Sequence, residues 1–87
     1  MATKHAKSLS YTVLYEPAEE GGYIVRVPAL EGCVTQGETL AEARAMAKDA
    51  IEGYLAVLKE EGLPIPGDIA GRPVYEKIKV AVPAVLA

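Results

Sequence analysis

The chain has no tryptophan, no phenylalanine and no asparagine, and one residue each of cysteine, histidine and glutamine. Each scarcity removes a class of chemistry. With Cys33 alone, no disulfide can form within the chain, and no Cys/His set can supply the four ligands of a structural zinc. A lone thiol also points to a reducing compartment. With His5 as the only histidine, placed beside Lys4 and Lys7 ahead of the first patterned segment, no Ser–His–acid or Cys–His arrangement can be assembled from the patterned residues. Scarce amides accompany heat-adapted chains and also arise by chance in a short alanine-rich one. No glycine pattern has phosphate-cradle spacing between a strand and a helix. No apolar run approaches the roughly 20 residues that span a bilayer, and "MATKHAKSLS" lacks the apolar core of a signal peptide. The expectation is one small cytoplasmic domain over 1–87, with 1–7 a flexible arm and 83–87 a short tail.

What is present is enough to fold. Half of the 87 residues are apolar. A chain of this size buries only about 60–65% of its unfolded surface, so association with copies of itself is expected. Charge is uneven. Between residues 16 and 61 ten acids face four bases, a balance of −6, whereas 71–87 carries Arg72, Lys77 and Lys79 against Glu76. An acidic middle is unsuited to tracking phosphates, which calls for clustered Lys and Arg. It suits a basic protein partner, or is simply a solvated face.

Patterning gives the elements. Residues 8–16 alternate, with Leu9, Tyr11, Val13 and Tyr15 on one face, and read as a strand ended by Pro17. "PAEEGG" is a turn, and Tyr23 to Val27 a second strand, making a hairpin. Gly32 to Gln36 is a short third strand. Thr39 with Glu42 forms a capping box that opens a helix of about Leu40 to Glu61. Its apolar stripe is Leu40, Ala43, Ala47, Ala50, Ile51, Tyr54 and Leu58, and Gly62 followed by Pro64 stops it. A close approach of the chain at Gly53 is one explanation for a glycine within that helix. After a Pro- and Gly-rich loop, Val74 to Val82 alternates cleanly and predicts a fourth strand beside the first. The order β-β-β-α-β predicts a two-layer α+β domain with a mainly antiparallel sheet and one packed helix.

Candidate chemistry is thin. Cys33 reads as a small buried hydrophobe. Glu16, Glu19 and Glu20 cluster at the first turn, but a metal-dependent nuclease needs acids converging from several elements. Tyr11, Tyr15 and Tyr54 read as core or half-core, while Tyr23 and Tyr75 could serve as contact residues. No catalytic, metal or cofactor-binding residue is assigned.

The segment "YTVLYEPAEEGGYIVRVPALEGCVTQGETLAEARAMAKDAIEGYL", followed by "GLPIP", resembles the HicB antitoxin family over about Tyr11 to Pro66. The resemblance rests on the ordered series Y-x-V, EEGGY-x-V-x-VP, L-x-GC-x-x-x-G-x-T-x-x-EA, A-x-x-AI-x-x-Y and G-x-x-IP. It implies a partial ribonuclease-H-like fold, no enzymatic activity, and a partner: a small, basic, HicA-like toxin that cleaves messenger RNA and whose active site the antitoxin masks. Glu16, Glu19, Glu20 and Tyr23, near the first hairpin, are the expected contact residues. Many relatives continue into a DNA-binding segment. The chain given stops at Ala87, so no direct nucleic-acid binding is expected of it. The rival readings are a stand-alone homo-oligomeric scaffold (dimer or tetramer) without an active toxin, and a residual metal-dependent nuclease.

Overall fold

The computed structural model describes residues 8–84; the expected N-terminal arm, His5 and the last three residues of the tail lie outside them. Three short strands and one helix follow in order: β1 (Leu14–Pro17), β2 (Tyr23–Arg26), β3 (Val34–Gly37) and α1 (Leu40–Glu60). The strands form an antiparallel sheet ordered β1-β2-β3. Leu14 pairs with Arg26 and Pro17 with Tyr23 in the first ladder; Tyr23 pairs with Gly37 and Arg26 with Val34 in the second. The α+β class and the order β-β-β-α stand as the alternation and the capping box predict.

One face of the sheet is covered. Val25 is fully buried against Ala43 and Ala47 of α1, with Val13, Tyr15 and Tyr23 packed around them. A second cluster holds Val27, Leu30 and Cys33, with Tyr11, Ala50, Ile51, Tyr54 and Leu55 against it. The alanines let the helix lie close to the sheet. Leu40, expected on the buried stripe, lies exposed at the helix start, and Leu55 takes a place in the core that the stripe did not include. Tyr54 adds a polar tie by donating its hydroxyl to the Glu31 carbonyl at 2.9 Å. Burial raises the Cys33 thiol above its ordinary pKa, in keeping with a packing role.

The helix termini follow from local chemistry. Thr39 caps the start: its hydroxyl accepts the Glu42 amide at 3.1 Å. The Glu42 carboxylate reaches back to the amide of Glu38, one residue beyond the usual capping-box donor, at 2.6 Å. At the other end Gly62 takes a φ of 70°, the Gly62 amide donates to Lys59 and the Leu63 amide to Leu58. That paired closure satisfies carbonyls the last turn would leave open. Gly53 has nothing within 4 Å of a Cβ placed on it, so the close approach expected there is not the reason for that glycine.

Two expectations are corrected. Strand one begins at Leu14 rather than near Ser8. Its partner β2 ends at Arg26, ahead of Pro28, so residues before Leu14 have no opposing backbone to pair with. The fourth strand is absent. Residues 74–82 are outside any ladder and exposed along their length. A strand exists only through its neighbour's hydrogen bonds, and this segment runs past the end of the sheet. Its projection accords with overall extents of 70 × 28 × 20 Å.

Candidate functional site

The joint between β3 and α1 is the most constrained part of the fold. A Cβ added to Gly37 would lie 2.5 Å from the Ala43 nitrogen and 2.6 Å from its Cα. Only glycine lets the end of the sheet come so near the first turn of the helix. Gly22, at φ 76°, faces the Gly37 carbonyl at 2.6 Å by the same measure. The hairpin turn is held by Ala18 and Gly22, paired at 3.0 Å. The turn at 18–22 is thereby pressed against the distant joint at which β3 ends and α1 starts.

Their meeting forms an open concavity of about 400 Å³. Glu20 comes from the turn, Tyr23 and Ile24 from β2, Glu38 and Glu42 from the helix start, and Met46 from its second turn. Its lining combines Tyr23, Ile24 and Met46 with the acidic residues Glu20, Glu38 and Glu42. Such a surface can take an apolar side chain flanked by cationic groups. Among the described residues no three His, Cys, Asp or Glu side chains converge as a metal site would require.

The four expected contact residues separate. Glu20 and Tyr23 share the concavity. Tyr23 is half-buried and packs its ring partly against the first core cluster. Glu19 is exposed on the turn next to them. Glu16 lies further along β1, where its carboxylate accepts from the Arg26 guanidinium at 3.2 Å across the ladder. Glu38 and Glu42 were not anticipated as site residues. Their signal in the sequence was the capping box, which says that Glu42 turns back toward the chain before the helix but not that the hairpin turn waits there.

A second concavity lies between α1 and the β1 edge of the sheet. Tyr11, Val13 and Tyr15 form one wall, and Ala47, Ile51 and Leu55 of α1 the other, around about 640 Å³. Arg44 and Lys48 stand on its rim with Glu52, which accepts from Lys48 at 2.7 Å. The proximity of Glu52 raises the Lys48 pKa. Below it the chain after the helix is tied to the residues before β1. Tyr11 donates its hydroxyl to the Pro66 carbonyl. Asp68 accepts from the Thr12 amide at 2.9 Å and from its hydroxyl at 2.7 Å. These two donors hold the Asp68 carboxyl below its ordinary pKa of 3.8.

Comparison with known proteins places this arrangement. The family described as "HicB_like antitoxin of bacterial toxin-antitoxin system" matches residues 11–85. A UPF0150 protein of Thermoplasma acidophilum is 47% identical over 62 residues, covering 71% of this chain and 90% of its own. Antitoxin HicB 1 of Photorhabdus laumondii is 39% identical over 77 residues, 86% of this chain and 50% of its own. Antitoxin HicB of Escherichia coli K12 is 33% identical over 76 residues, 85% of this chain and 55% of its own. The chain thus spans about half the length of the two curated antitoxins. No helix among the described residues is long and apolar enough to cross a membrane.

Proposed function

Because the chain belongs to the HicB-like antitoxin family of bacterial toxin–antitoxin systems, we propose that it acts without catalysis of its own, by binding a small basic HicA-like toxin and covering the site with which that toxin cleaves messenger RNA. The observation that carries the reading is the acid-rimmed concavity at the joint of turn, sheet end and helix start. Three acidic residues line it beside Tyr23, Ile24 and Met46. A cationic surface built to hold RNA phosphates presents the complementary sign, so an acidic cover competes for the same groups. Steering between opposite charges also speeds capture. Glu20 and Tyr23 are the central contacts in this reading, with Glu38 beside them and with Glu19 and Glu16 extending the contact along the hairpin. Glu42 has a second task as part of the helix cap, so it is a poor site for a test.

The test is binding of the cognate toxin, encoded in a neighbouring reading frame, measured by association kinetics at two ionic strengths. The unaltered chain should bind and restore growth of cells expressing the toxin. Glu20→Lys with Glu38→Lys should slow association by about 10-fold or more at low salt, with the difference shrinking as salt is raised. Unchanged kinetics in the double variant would remove the concavity from the contact. Failure of the unaltered chain to bind or protect would overturn the toxin reading itself.

A further inference from the structure

The exposed segment 74–82 and the groove beside β1 are two halves of one unfinished element. We propose that residues 74–82 of one copy of this chain add as a fourth strand along β1 of a second copy, and that the exchange is reciprocal. The inference does not depend on the toxin reading, since the groove shares no residue with the acidic concavity.

The path of the chain supplies the first argument. After α1 the chain is fixed to Tyr11 and Thr12 through Pro66 and Asp68. From there it follows β1 in the same direction, so that Pro73, Val74 and Tyr75 lie against Leu14 to Pro17. The residues that pass the sheet are therefore those of the Gly- and Pro-containing stretch, which has no strand pattern. The patterned residues come too late: β1 ends at Pro17, and the chain beyond Tyr75 has no sheet of its own to join. Val74, Ile78, Val80 and Val82 are left 73–87% exposed. No backbone hydrogen bond ties Pro73–Tyr75 to β1, so a second copy's strand has none to displace there.

The groove supplies the second argument. Among the described residues β1 pairs only with β2, so its outer edge carries no ladder, and Pro73–Tyr75 lie beside it without a backbone hydrogen bond. Next to that edge the helix-facing residues Tyr11, Val13 and Tyr15 line a groove of about 640 Å³ together with Ala47, Ile51 and Leu55. An added strand with apolar residues at alternate positions would close both the open edge and the gap.

Charge identifies the occupant. The apolar row of 74–82 is interrupted once, by Glu76. The groove carries Arg44 on its rim together with Lys48 and Glu52, which pair with each other, so the rim is positive by one charge. With Val74, Ile78, Val80 and Val82 turned into the groove, Glu76 meets that basic rim. Lys77 and Lys79 then turn to the opposite face, the face that carries Glu16. The apolar row and its single acid thus find an apolar groove with a net positive rim in a copy of the same chain. Pairing of the two arms with each other about Ile78 would instead set Lys77 opposite Lys79, which is unfavourable. The reciprocal contact closes on itself as a two-fold dimer.

The test uses the full chain. Light scattering at micromolar concentration should give twice the chain mass. Ile78→Asp should reduce it to the single-chain mass with the helical circular dichroism unchanged, because Ile78 is 73% exposed in its own chain. An equimolar mixture of Ile78→Cys chains with Leu55→Cys chains, each also carrying Cys33→Ser, should oxidise to a disulfide between the two kinds of chain. A single-chain mass for the unaltered protein, a dimer that survives Ile78→Asp, or coupling of Ile78→Cys only to its own kind would each overturn the proposal.

Discussion

Two stretches of this chain carry the same alternating pattern and meet opposite fates. In β2, Tyr23 to Arg26, every second residue turns inward and Val25 is completely buried. In residues 74–82 the alternation is longer and cleaner, yet Tyr75 is 92% exposed and no ladder forms. Propensity and pattern do not differ in a way that accounts for this. Neighbours do. β2 sits between two antiparallel partners supplied by tight connections, the 18–22 turn on one side and the loop from Val27 to Cys33 on the other. Residues 74–82 reach the edge of the sheet after it has ended. Alternation records a capacity for pairing, and the connection lengths decide whether a partner is within reach.

The sharpest way to test that contrast is to shorten a side chain in each region. Leu30 is 1% exposed, at the centre of the second cluster. Leu30→Ala should lower the free energy of unfolding by about 2–5 kcal/mol. Ile78→Ala, measured at a concentration dilute enough to hold single chains, should change it by no more than about 0.5 kcal/mol. Urea or thermal unfolding reads both. An equal loss at the two positions would mean that the arm packs against its own body.

A smaller effect is expected at the joint that makes the body compact. Gly37→Ala places a methyl group against helix backbone at 2.5–2.6 Å. Backbone cannot turn aside as a side-chain end can, so helix and sheet must separate. A loss of about 1–3 kcal/mol is expected. The acidic concavity, which needs the same closeness, should open, and toxin association should weaken together with stability. A crystal structure or the unfolding midpoint of the variant checks this.

The smallest effect lies at the tether between body and arm. Asp68 is held below its ordinary pKa of 3.8 by the amide and hydroxyl of Thr12. A carboxyl lowered in the folded state favours folding fully at pH above its ordinary value. That contribution falls away as pH drops through the lowered one. The Thr12 amide should therefore exchange faster and shift in the nuclear magnetic resonance spectrum as acid is added below about pH 4. Asp68→Asn should remove the titration. A Thr12 amide indifferent to acid would show that the tether does not rest on the Asp68 charge.

Much of the body could be read from the chain itself. Thr39 and Glu42 marked the start of α1, Gly62 and Pro64 its end, and Pro17 and the glycine pair the first hairpin. Each is a local device, settled by backbone geometry within a few residues. The site was only half legible. Glu20 and Tyr23 could be picked out because they crowd one turn. Glu38 and Glu42 joined them only because Gly22, Gly37 and Ala43 stack three separate segments within contact distance, a closeness that no short window of sequence contains. Glu16 was grouped with its neighbours by sequence, whereas the ladder sets it opposite Ile24 and within diagonal reach of Arg26.

By itself the sequence determined which residues can start, stop or continue an element, which side of each element is apolar, and to which family the chain is similar. The tertiary structure decided that the last alternating segment has no ladder partner among the described residues, and that three acidic residues line one concavity. Both depend on distances between segments far apart in the chain. Those distances are fixed by packing and connection length together, not by the properties of any residue taken alone.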